Sequence, residues 1–347
     1  MKTKPKYLRL AASALLVVLS LGFLQRLLMP KYVDGIVEGA FVAEYYQEVK
    51  DHDLLFVGDC EVYENFSPAV LWQDYGINSY IRGSAEQYIF QSYYLLEDAL
   101  RYETPKAVVF NIQSLQFSEA QSEAYNRMSL EGMKWSPTKV KAILASMKEG
   151  EHFLDYLFPL LRYHTRWSEL ESTDVEYLFQ TKPVSFNGYY MRVDAKPAQN
   201  VPTGKPLADY SFGEKAWKYL DKMVELCERE GIQLILIKAP SLYPYWYPQW
   251  EEQVEQYAAE KGLPYLNFLE LQEETGIDYA ADTYDGGLHM NLSGAEKLSR
   301  WLGQWLMENT DLRDRRGEEE LSQRWEEKLS AYEAEKERQY AFYGIER

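Results

Sequence analysis

Short apolar segments alternate with longer amphipathic ones over most of this chain. The segment at 54–57 is apolar throughout and ends at Gly58, and the segments at 107–111 and 232–237 are nearly as apolar. Continuous apolar runs of this length are typical of strands that a parallel sheet buries on both faces. The predicted strands lie, in chain order, at 54–57, 78–81, 107–111, 232–237 and 265–269.

Between these strands, apolar residues recur at helical spacing. Ser67 and Pro68 are suited to the cap and first position of a helix that Gly76 ends, and Ser293 and Glu296 have the spacing of a capping box. The predicted helices lie at 68–75, 86–101, 212–229, 250–260 and 292–307. Strands alternating with helices predict an α/β fold, a three-layer sandwich whose five-stranded parallel sheet is covered by helices on both faces.

Three regions fall outside this alternation. Residues 1–30 are expected to form a cytoplasmic stub and a membrane anchor, and 31–310 the α/β domain. Within that domain, 118–206 interrupts the pattern and is interpreted as an insertion or a cap over the sheet. Residues 311–347 are rich in charge and predict a helical tail packed along the surface.

The N-terminus carries a basic flank ahead of an apolar run. Four cationic residues precede the run at 10–24, which Gln25 and Arg26 interrupt before it resumes at 27–29. Positive charge on the short side predicts that this side stays in the cytoplasm and that the chain after Pro30 lies outside. An uncleaved single-pass anchor is favoured because no small-residue cleavage site follows the run, with a cleaved signal peptide as the alternative.

Composition excludes several classes of function. The 347 residues carry a net charge of −17, which opposes binding to nucleic acid or another polyanion. Only Cys60 and Cys227 are present, too few for a disulfide scaffold or a CxxC metal site. No metal ion or organic cofactor is expected.

Candidate chemistry lies in the loops after the predicted strands, where open parallel sheets bind their ligands. The first strand ends in Gly58-Asp59-Cys60-Glu61, and the third ends at Asn111. Arg82-Gly83-Ser84 follows the second strand. Near the end of the chain, a polar loop with Asp282, Asp285 and His289 precedes the last helix of the sandwich.

In these blocks the chain resembles the SGNH, or GDSL-like, hydrolase and acyltransferase superfamily. The resemblance covers about 50–115 and 210–307, and it implies a nucleophile at Cys60, where the superfamily has serine, with oxyanion donors at Gly83 and Asn111. It also implies a base at His289 oriented by Asp285. The superfamily places that aspartate three residues before the histidine, whereas Asp285 stands four before His289, so Asp282 remains an alternative.

The residue types suit acyl transfer on their own chemistry. A nucleophile needs a neighbouring base, a group that fixes the tautomer of the base, and donors aimed at the developing oxyanion. A thiol beside an imidazole ionises more readily than a hydroxyl, so cysteine can replace serine. Cysteine is also among the most buried residue types, and a small core residue is the alternative interpretation of Cys60; Cys227, on an apolar helical face, is expected to be structural.

Two further sets of residues are candidates for binding substrate. Tyr245 and Trp246 follow the strand at 232–237 and suit stacking on sugar rings, or else form an aromatic lid packed on the protein. Arg162, His164 and Arg166 alternate within the insertion and suit a carboxylate or phosphate, or else form a solvated face.

The sequence thus predicts an extracytoplasmic, membrane-anchored acyltransferase or esterase acting on an acyl group, such as acetyl, of a cell-surface glycan. The resemblance implies a membrane-bound O-acyltransferase as a partner that exports the acyl group. The alternative is a catalytically inactive protein of the same fold that binds a surface polymer or scaffolds a cell-envelope assembly.

Overall fold

A five-stranded, all-parallel sheet forms the centre of the protein. The computed structural model describes residues 4–29, 38–179 and 183–345. The strands are β1 (Leu54–Gly58), β2 (Ser79–Gly83), β3 (Ala107–Asn111), β4 (Gln233–Lys238) and β5 (Tyr265–Asn267). They lie side by side in the order β2-β1-β3-β4-β5. The predicted α/β sandwich with five parallel strands is confirmed.

Fifteen α-helices surround or extend this sheet within the described residues. They are α1 (Lys4–Leu28), α2 (Glu38–Glu44), α3 (Cys60–Tyr63), α4 (Pro68–Tyr75), α5 (Ile89–Ala99), α6 (Glu123–Glu131), α7 (Pro137–Ser146), α8 (Phe153–Leu157), α9 (Leu160–Tyr163), α10 (Ser172–Phe179), α11 (Glu214–Glu230), α12 (Pro248–Lys261), α13 (Gln272–Thr275), α14 (Leu292–Asn309) and α15 (Glu319–Tyr343). Short 3-10 turns lie at Tyr45–Gln47, Ile112–Gln116 and Arg166–Glu169.

The two faces of the sheet bury two separate hydrophobic layers. In β1, Leu55 and Val57 pack into the layer that contains α5 and α11, whereas Leu54 and Phe56 pack into the layer of α4 and α14. This alternation follows from the period of two along a strand. Because both layers are apolar, the central positions of β1, β3 and β4 are apolar in succession, which is why their sequence pattern is continuous rather than alternating.

The capping box predicted at Ser293 is wrong. Helix α14 begins at Leu292 with Asn291 as its N-cap, and the Asn291 side chain accepts a hydrogen bond from the Gly294 N–H at 3.2 Å. Asparagine caps a helix as well as serine does, so the helix can begin after Asn291, two residues before the predicted cap at Ser293. The predicted start of α4 at Ser67 and its end at Gly76, which has a φ of +69°, are confirmed.

The insertion divides into parts with different surroundings. Helices α6 and α7 contribute Leu130 and Ile143 to the layer outside α5. The following residues return as an extended segment that places Tyr189 and Met191 in the opposite layer. Helices α8 to α10 lie between these parts in the sequence, and their contacts with α1 are described below.

Helix α15 packs on the sheet domain through its apolar side. Trp325 is buried and stacks on Trp72 of α4 with ring centroids 5.3 Å apart. Its indole N–H donates to the Asn78 side chain at 3.1 Å. The charged C-terminal segment therefore contributes to the core while its other faces stay in solvent.

Helix α1 is long and apolar enough to cross a membrane over Lys6–Leu28. It continues through Gln25 and Arg26, so it is longer than the uninterrupted apolar run of the sequence suggests. A signal sequence near the N-terminus meets the same criterion, and both interpretations of the N-terminal segment therefore stand.

Candidate functional site

Cys60 stands at the carboxyl end of β1, on a tight turn from strand to helix. It is the first residue of α3, and the Asp59 carboxylate caps this helix by accepting the Glu61 N–H at 3.2 Å. A Cβ atom at Gly58 would collide with the Val62 side chain and lie 3.2 Å from that of Asn111. The turn therefore requires glycine before Asp59, and it leaves Cys60 partly exposed at the edge of the sheet.

His289 lies in the loop before α14 and is held by Asp285. Its Nδ1 is 2.7 Å from Asp285 Oδ2, while Oδ1 of the same carboxylate accepts the N–H groups of Leu288 and His289 at 3.1 and 3.0 Å. Gly286 and Gly287, with φ of +93° and +107°, form the bend between them. Left-handed backbone of this kind suits glycine, and it accommodates the extra residue between the aspartate and the histidine.

Asp282, the alternative to Asp285, is turned away from the imidazole. Its Oδ2 is 2.6 Å from the Lys297 Nζ and accepts the Asp278 N–H at 2.8 Å. The side chain is buried in this ion pair. Of the two candidates, the geometry thus brings Asp285 and not Asp282 to His289.

The Cys60 thiol lies beside the His289 ring, close enough for each group to perturb the pKa of the other. Because Nδ1 faces Asp285, the second ring nitrogen, Nε2, is left for the thiol. Nε2 is buried and has no well-aligned hydrogen-bond partner among the described residues. Hydrogen bonds in unliganded catalytic sites are often poorly aligned and tighten only around substrate.

Burial governs the ionisation of the thiol. It raises the pKa of Cys60 to about 12, and the positive charge of a protonated His289 offsets only part of this effect. Burial of Asp285 is outweighed by its hydrogen bond with His289, which holds the pKa of that carboxyl below its usual value. At neutral pH the group therefore contains a thiol and a carboxylate on either side of the imidazole.

A second carboxylate, on Glu64, faces the same histidine. Glu64 Oε2 is 3.9 Å from His289 Nδ1 and accepts a short hydrogen bond from the Tyr284 hydroxyl. The Tyr284 ring stacks on the imidazole at 5.9 Å. Burial lowers the pKa of His289, but the charge of Glu64 and the hydrogen bond with Asp285 outweigh it and raise that pKa well above 6.5.

Below Cys60, four buried polar side chains form a connected group, which we call the Lys238 cluster: Asp59, Glu61, Asn111 and Lys238. Lys238 Nζ is 3.2 Å from Glu61 Oε2. The Asn111 amide donates to Asp59 Oδ1 at 3.0 Å and to Glu61 Oε2 at 3.1 Å, and its carbonyl oxygen accepts the Ala239 N–H. Three strands, β1, β3 and β4, thus meet in one network at their carboxyl ends.

This network bears on the predicted oxyanion donors. Both amide hydrogens of Asn111 are donated to carboxylates, so its role as an oxyanion donor stays a prediction that requires these bonds to rearrange. Gly83 pairs with Gly58 at the end of β2, and a Cβ atom there would lie 3.4 Å from the Asp59 carbonyl oxygen. Gly83 is therefore next to the Cys60 turn, and its donor role also stays a prediction.

The candidate substrate residues of the insertion lie apart from this group. Arg162 is exposed and is 3.2 Å from a Glu123 carboxylate oxygen, and exposed His164 contacts the Leu161 carbonyl oxygen at 3.0 Å through Nδ1. Arg166 is paired with Asp174 through two hydrogen bonds of 3.1 and 2.9 Å. None of the three contacts Cys60 or His289 in the part of the chain that the structure describes.

The aromatic segment after β4 packs mainly on the protein. Trp246 is buried, and its indole N–H donates to Glu251 at 2.6 Å. Tyr245 is 41% exposed. A third member, Tyr243, donates its hydroxyl to the Asp285 carbonyl oxygen at 3.0 Å and so connects the segment to the histidine loop.

A cleft of about 380 Å³ borders Asp285. Its lining combines polar side chains, Lys196, Gln199, Tyr243 and Asp285, with the apolar Pro197, Val201 and Pro202. A mixed lining of this kind suits a ligand with both polar and apolar parts. Neither Cys60 nor His289 lines the cleft.

Sequence reasoning missed Glu64, Tyr284 and Lys238. Glu64 follows Cys60 by four residues, one helical turn, and Tyr284 is the neighbour of Asp285. Lys238 was the easiest to find, because a charged residue at the end of a buried strand needs a partner at the same edge of the sheet. Among the described residues, no group of three or more His, Cys, Asp or Glu side chains is arranged to hold a metal ion.

Comparison with known proteins finds a distant structural likeness and no match in sequence. Neither a family model nor a curated protein matches this sequence. Among solved structures, the chain is similar to a crystal structure of a putative acylhydrolase from Bacteroides fragilis NCTC 9343, with a TM-score of 0.38 and 13% sequence identity over 77% of this chain and 94% of that one. A likeness this distant carries no argument about chemistry, which must come from the site itself.

Proposed function

We propose that this protein hydrolyses or transfers acyl esters, with Cys60 as nucleophile, His289 as base and Asp285 as the group that orients the base. The observation that carries the proposal is the position of the imidazole. Its Nδ1 is 2.7 Å from Asp285, and its buried Nε2 is left for the neighbouring Cys60 thiol. Nucleophile, base and orienting carboxylate in this order are the requirements of acyl transfer.

In the proposed reaction, His289 Nε2 takes the thiol proton while the sulfur attacks the carbonyl carbon of the ester. The tetrahedral intermediate collapses by breaking the bond from carbon to the ester oxygen, and the leaving alcohol receives the proton from His289. A thioester to Cys60 remains. Water or an acceptor hydroxyl then attacks it, with His289 again carrying the proton, and the free thiol is restored.

The place and substrate of this reaction belong to the same proposal. Helix α1 would hold the domain on the outer side of a membrane, where an acyl group on a cell-surface glycan and a membrane-bound O-acyltransferase as donor are within reach. The net charge of −17 favours a neutral or cationic acceptor over a polyanionic one. The cleft beside Asp285 has lysine, glutamine and tyrosine side chains in its lining, which supports a hydroxyl-bearing acceptor such as a sugar.

The experiment measures turnover of an activated acetyl ester by the full-length protein in detergent. Cys60→Ala should abolish the activity, whereas Cys227→Ala, which removes the other thiol, should leave it. Asp285→Asn should reduce turnover by orders of magnitude, and Asp282→Asn should act only through stability. Equal activity of the Cys60→Ala variant and the unmodified protein would overturn the proposal.

A second candidate, a protein that binds a surface polymer without catalysis, is favoured by the state of the thiol. With its pKa raised to about 12, Cys60 is protonated at neutral pH and is less nucleophilic than a thiolate. This candidate predicts no turnover of any acyl ester and no faster alkylation of Cys60 than of buried Cys227. It also predicts that polysaccharide binding survives the Cys60→Ala substitution.

A further inference from the structure

Helices α8 to α10 expose large apolar side chains on the insertion. Five of the six are about half exposed and Phe179 is 83% exposed. We call them the apolar surface: Leu154, Phe158, Leu161, Trp167, Val175 and Phe179. Exposed apolar side chains are normally scattered singly over a protein surface, so six of them within residues 154–179 point to an interaction site.

This surface is joined to the end of α1 by direct hydrogen bonds. The Arg166 guanidinium donates to the Leu28 carbonyl oxygen at 3.1 Å, and Arg26 of α1 donates to the Tyr177 carbonyl oxygen at 3.1 Å. Leu28 is buried in this region, whereas α1 is exposed over residues 6–23. The insertion thus holds the last turn of α1 and cannot lie far from it.

The two arginines of this region are paired within the protein. Arg166 is buried against Asp174 and Leu28, and Arg162 is paired with Glu123. Other polar side chains of the region, among them His164, Glu169 and Glu176, are exposed between the apolar ones. The region is therefore mixed in polarity, which suits the headgroup level of a membrane interface, where both kinds of side chain are accommodated.

The length of α1 places this face at the height of a membrane interface. The candidate membrane span of α1, Lys6–Leu28, has 23 residues, which at about 1.5 Å per residue is roughly 35 Å, slightly more than the hydrocarbon thickness of about 30 Å. A helix that crosses the bilayer therefore brings Leu28 out at the headgroup boundary. Residues hydrogen-bonded to Leu28 lie at the same depth.

We infer that the apolar surface is immersed in the outer interface of the bilayer that α1 crosses, with lipid as its occupant. Trp167 and Phe158 then lie at the depth that aromatic residues favour in membrane proteins. The inference rests on the proposed spanning role of α1, and it adds a second, peripheral contact that fixes the domain against the membrane. The protein would then contact the membrane through both α1 and the apolar surface.

The test is quenching of tryptophan fluorescence by lipids brominated on their acyl chains. The full-length protein is reconstituted into phosphatidylcholine vesicles with or without the brominated lipid, and the contribution of Trp167 is obtained by subtracting the spectrum of Trp167→Phe. Trp135→Phe provides the matched control, because Trp135 is 49% exposed, close to the 54% of Trp167, but lies before α7 and outside the apolar surface. Resistance to alkaline carbonate extraction establishes separately whether α1 spans the bilayer.

We expect the emission assigned to Trp167 to lose more than half its intensity in brominated vesicles and that of Trp135 to lose much less. If the protein resists extraction but Trp167 is not quenched, the surface is covered by something other than lipid and the inference is overturned. If alkaline carbonate extracts the protein, α1 does not span the bilayer, and the inference is overturned because that span is its premise. Neither result touches the proposed chemistry of Cys60, which is measured by ester turnover.

Discussion

Replacing Lys238 by methionine tests how the carboxyl edge of the sheet is held together. Lys238 is fully buried and is the cation of the Lys238 cluster, 3.2 Å from Glu61 and 2.7 Å from the Ala239 carbonyl oxygen. Methionine fills most of the space of the lysine stem without its charge. The substitution leaves the Glu61 carboxylate buried, 2% exposed, with no opposite charge in contact.

The expected magnitude follows from that uncompensated charge. Removing one partner of a buried ion pair costs about 3–5 kcal/mol, because the remaining ion stays desolvated. Adding Glu61→Gln to Lys238→Met removes that ion, so the double variant should recover much of the loss. The remaining difference from the unmodified protein should be about 1–2 kcal/mol, the size of the hydrogen bonds that are not replaced.

Urea unfolding of the full-length protein in detergent, followed by tryptophan fluorescence at pH 8, measures these free energies. The reasoning predicts the order unmodified protein, double variant, Lys238→Met, from most to least stable. A Lys238→Met variant within 1 kcal/mol of the unmodified protein, or a double variant no more stable than the single one, would refute it. Either result would mean that water or backbone dipoles, not Lys238, compensate Glu61.

Three further predictions concern pH and packing. If His289 is the base, ester turnover should rise with pH through a midpoint above 6.5, because the imidazole must be neutral. Glu64→Gln removes a negative charge 3.9 Å from the imidazole and should lower that midpoint in a pH-rate profile. A midpoint that does not move would contradict the role of Glu64. Burial and the charge of Glu61 raise the pKa of Asp59 to about 7. The protein therefore has the full stability contributed by protonated Asp59 below about pH 4 and loses that contribution as the pH rises through 7. Asp59→Asn, which keeps the capping acceptor, should thus stabilise the protein in urea at pH 8 more than at pH 4, and an equal effect at both would disprove the argument. Trp325→Ala should reduce the free energy of unfolding by about 3–5 kcal/mol, since it removes a buried ring and its bond to Asn78, and a loss below 1 kcal/mol would show that α15 is not part of the core.

The sheet was predictable because its physical signal is local. Five short apolar runs separated by helical periods define a parallel α/β sandwich, and the bounds of β3 at Ala107–Asn111 match the pattern residue for residue. Glycines at helix ends were equally clear, since Gly76 and Gly231 both adopt the left-handed backbone that ends α4 and α11. These features depend on neighbours in the sequence and needed no tertiary information.

The site was only partly predictable, because its decisive choices are made by distant residues. The spacing to His289 could not decide between Asp282 and Asp285; the choice follows from Lys297, one helix further on, which takes Asp282. Asn111 could be placed at the right edge, but not its bonds to the carboxylates of Asp59 and Glu61. Which polar partner each side chain takes depends on the three-dimensional arrangement of the chain, and the spacing of residues in the sequence does not reveal it.

The extended part of the insertion has a consequence for anyone who would reduce this protein to a smaller domain. Its backbone N–H groups at Tyr190 and Lys196 donate to the carbonyl oxygens of Tyr63 and Thr283, and its Arg192 carbonyl oxygen accepts the Leu292 N–H. This extended segment thus connects the end of α3, the helix that begins at Cys60, to both ends of the loop that carries His289. Cutting out 118–206 and joining the sheet directly would remove a brace from each side of the site, so the insertion is a part of the scaffold that truncation must keep.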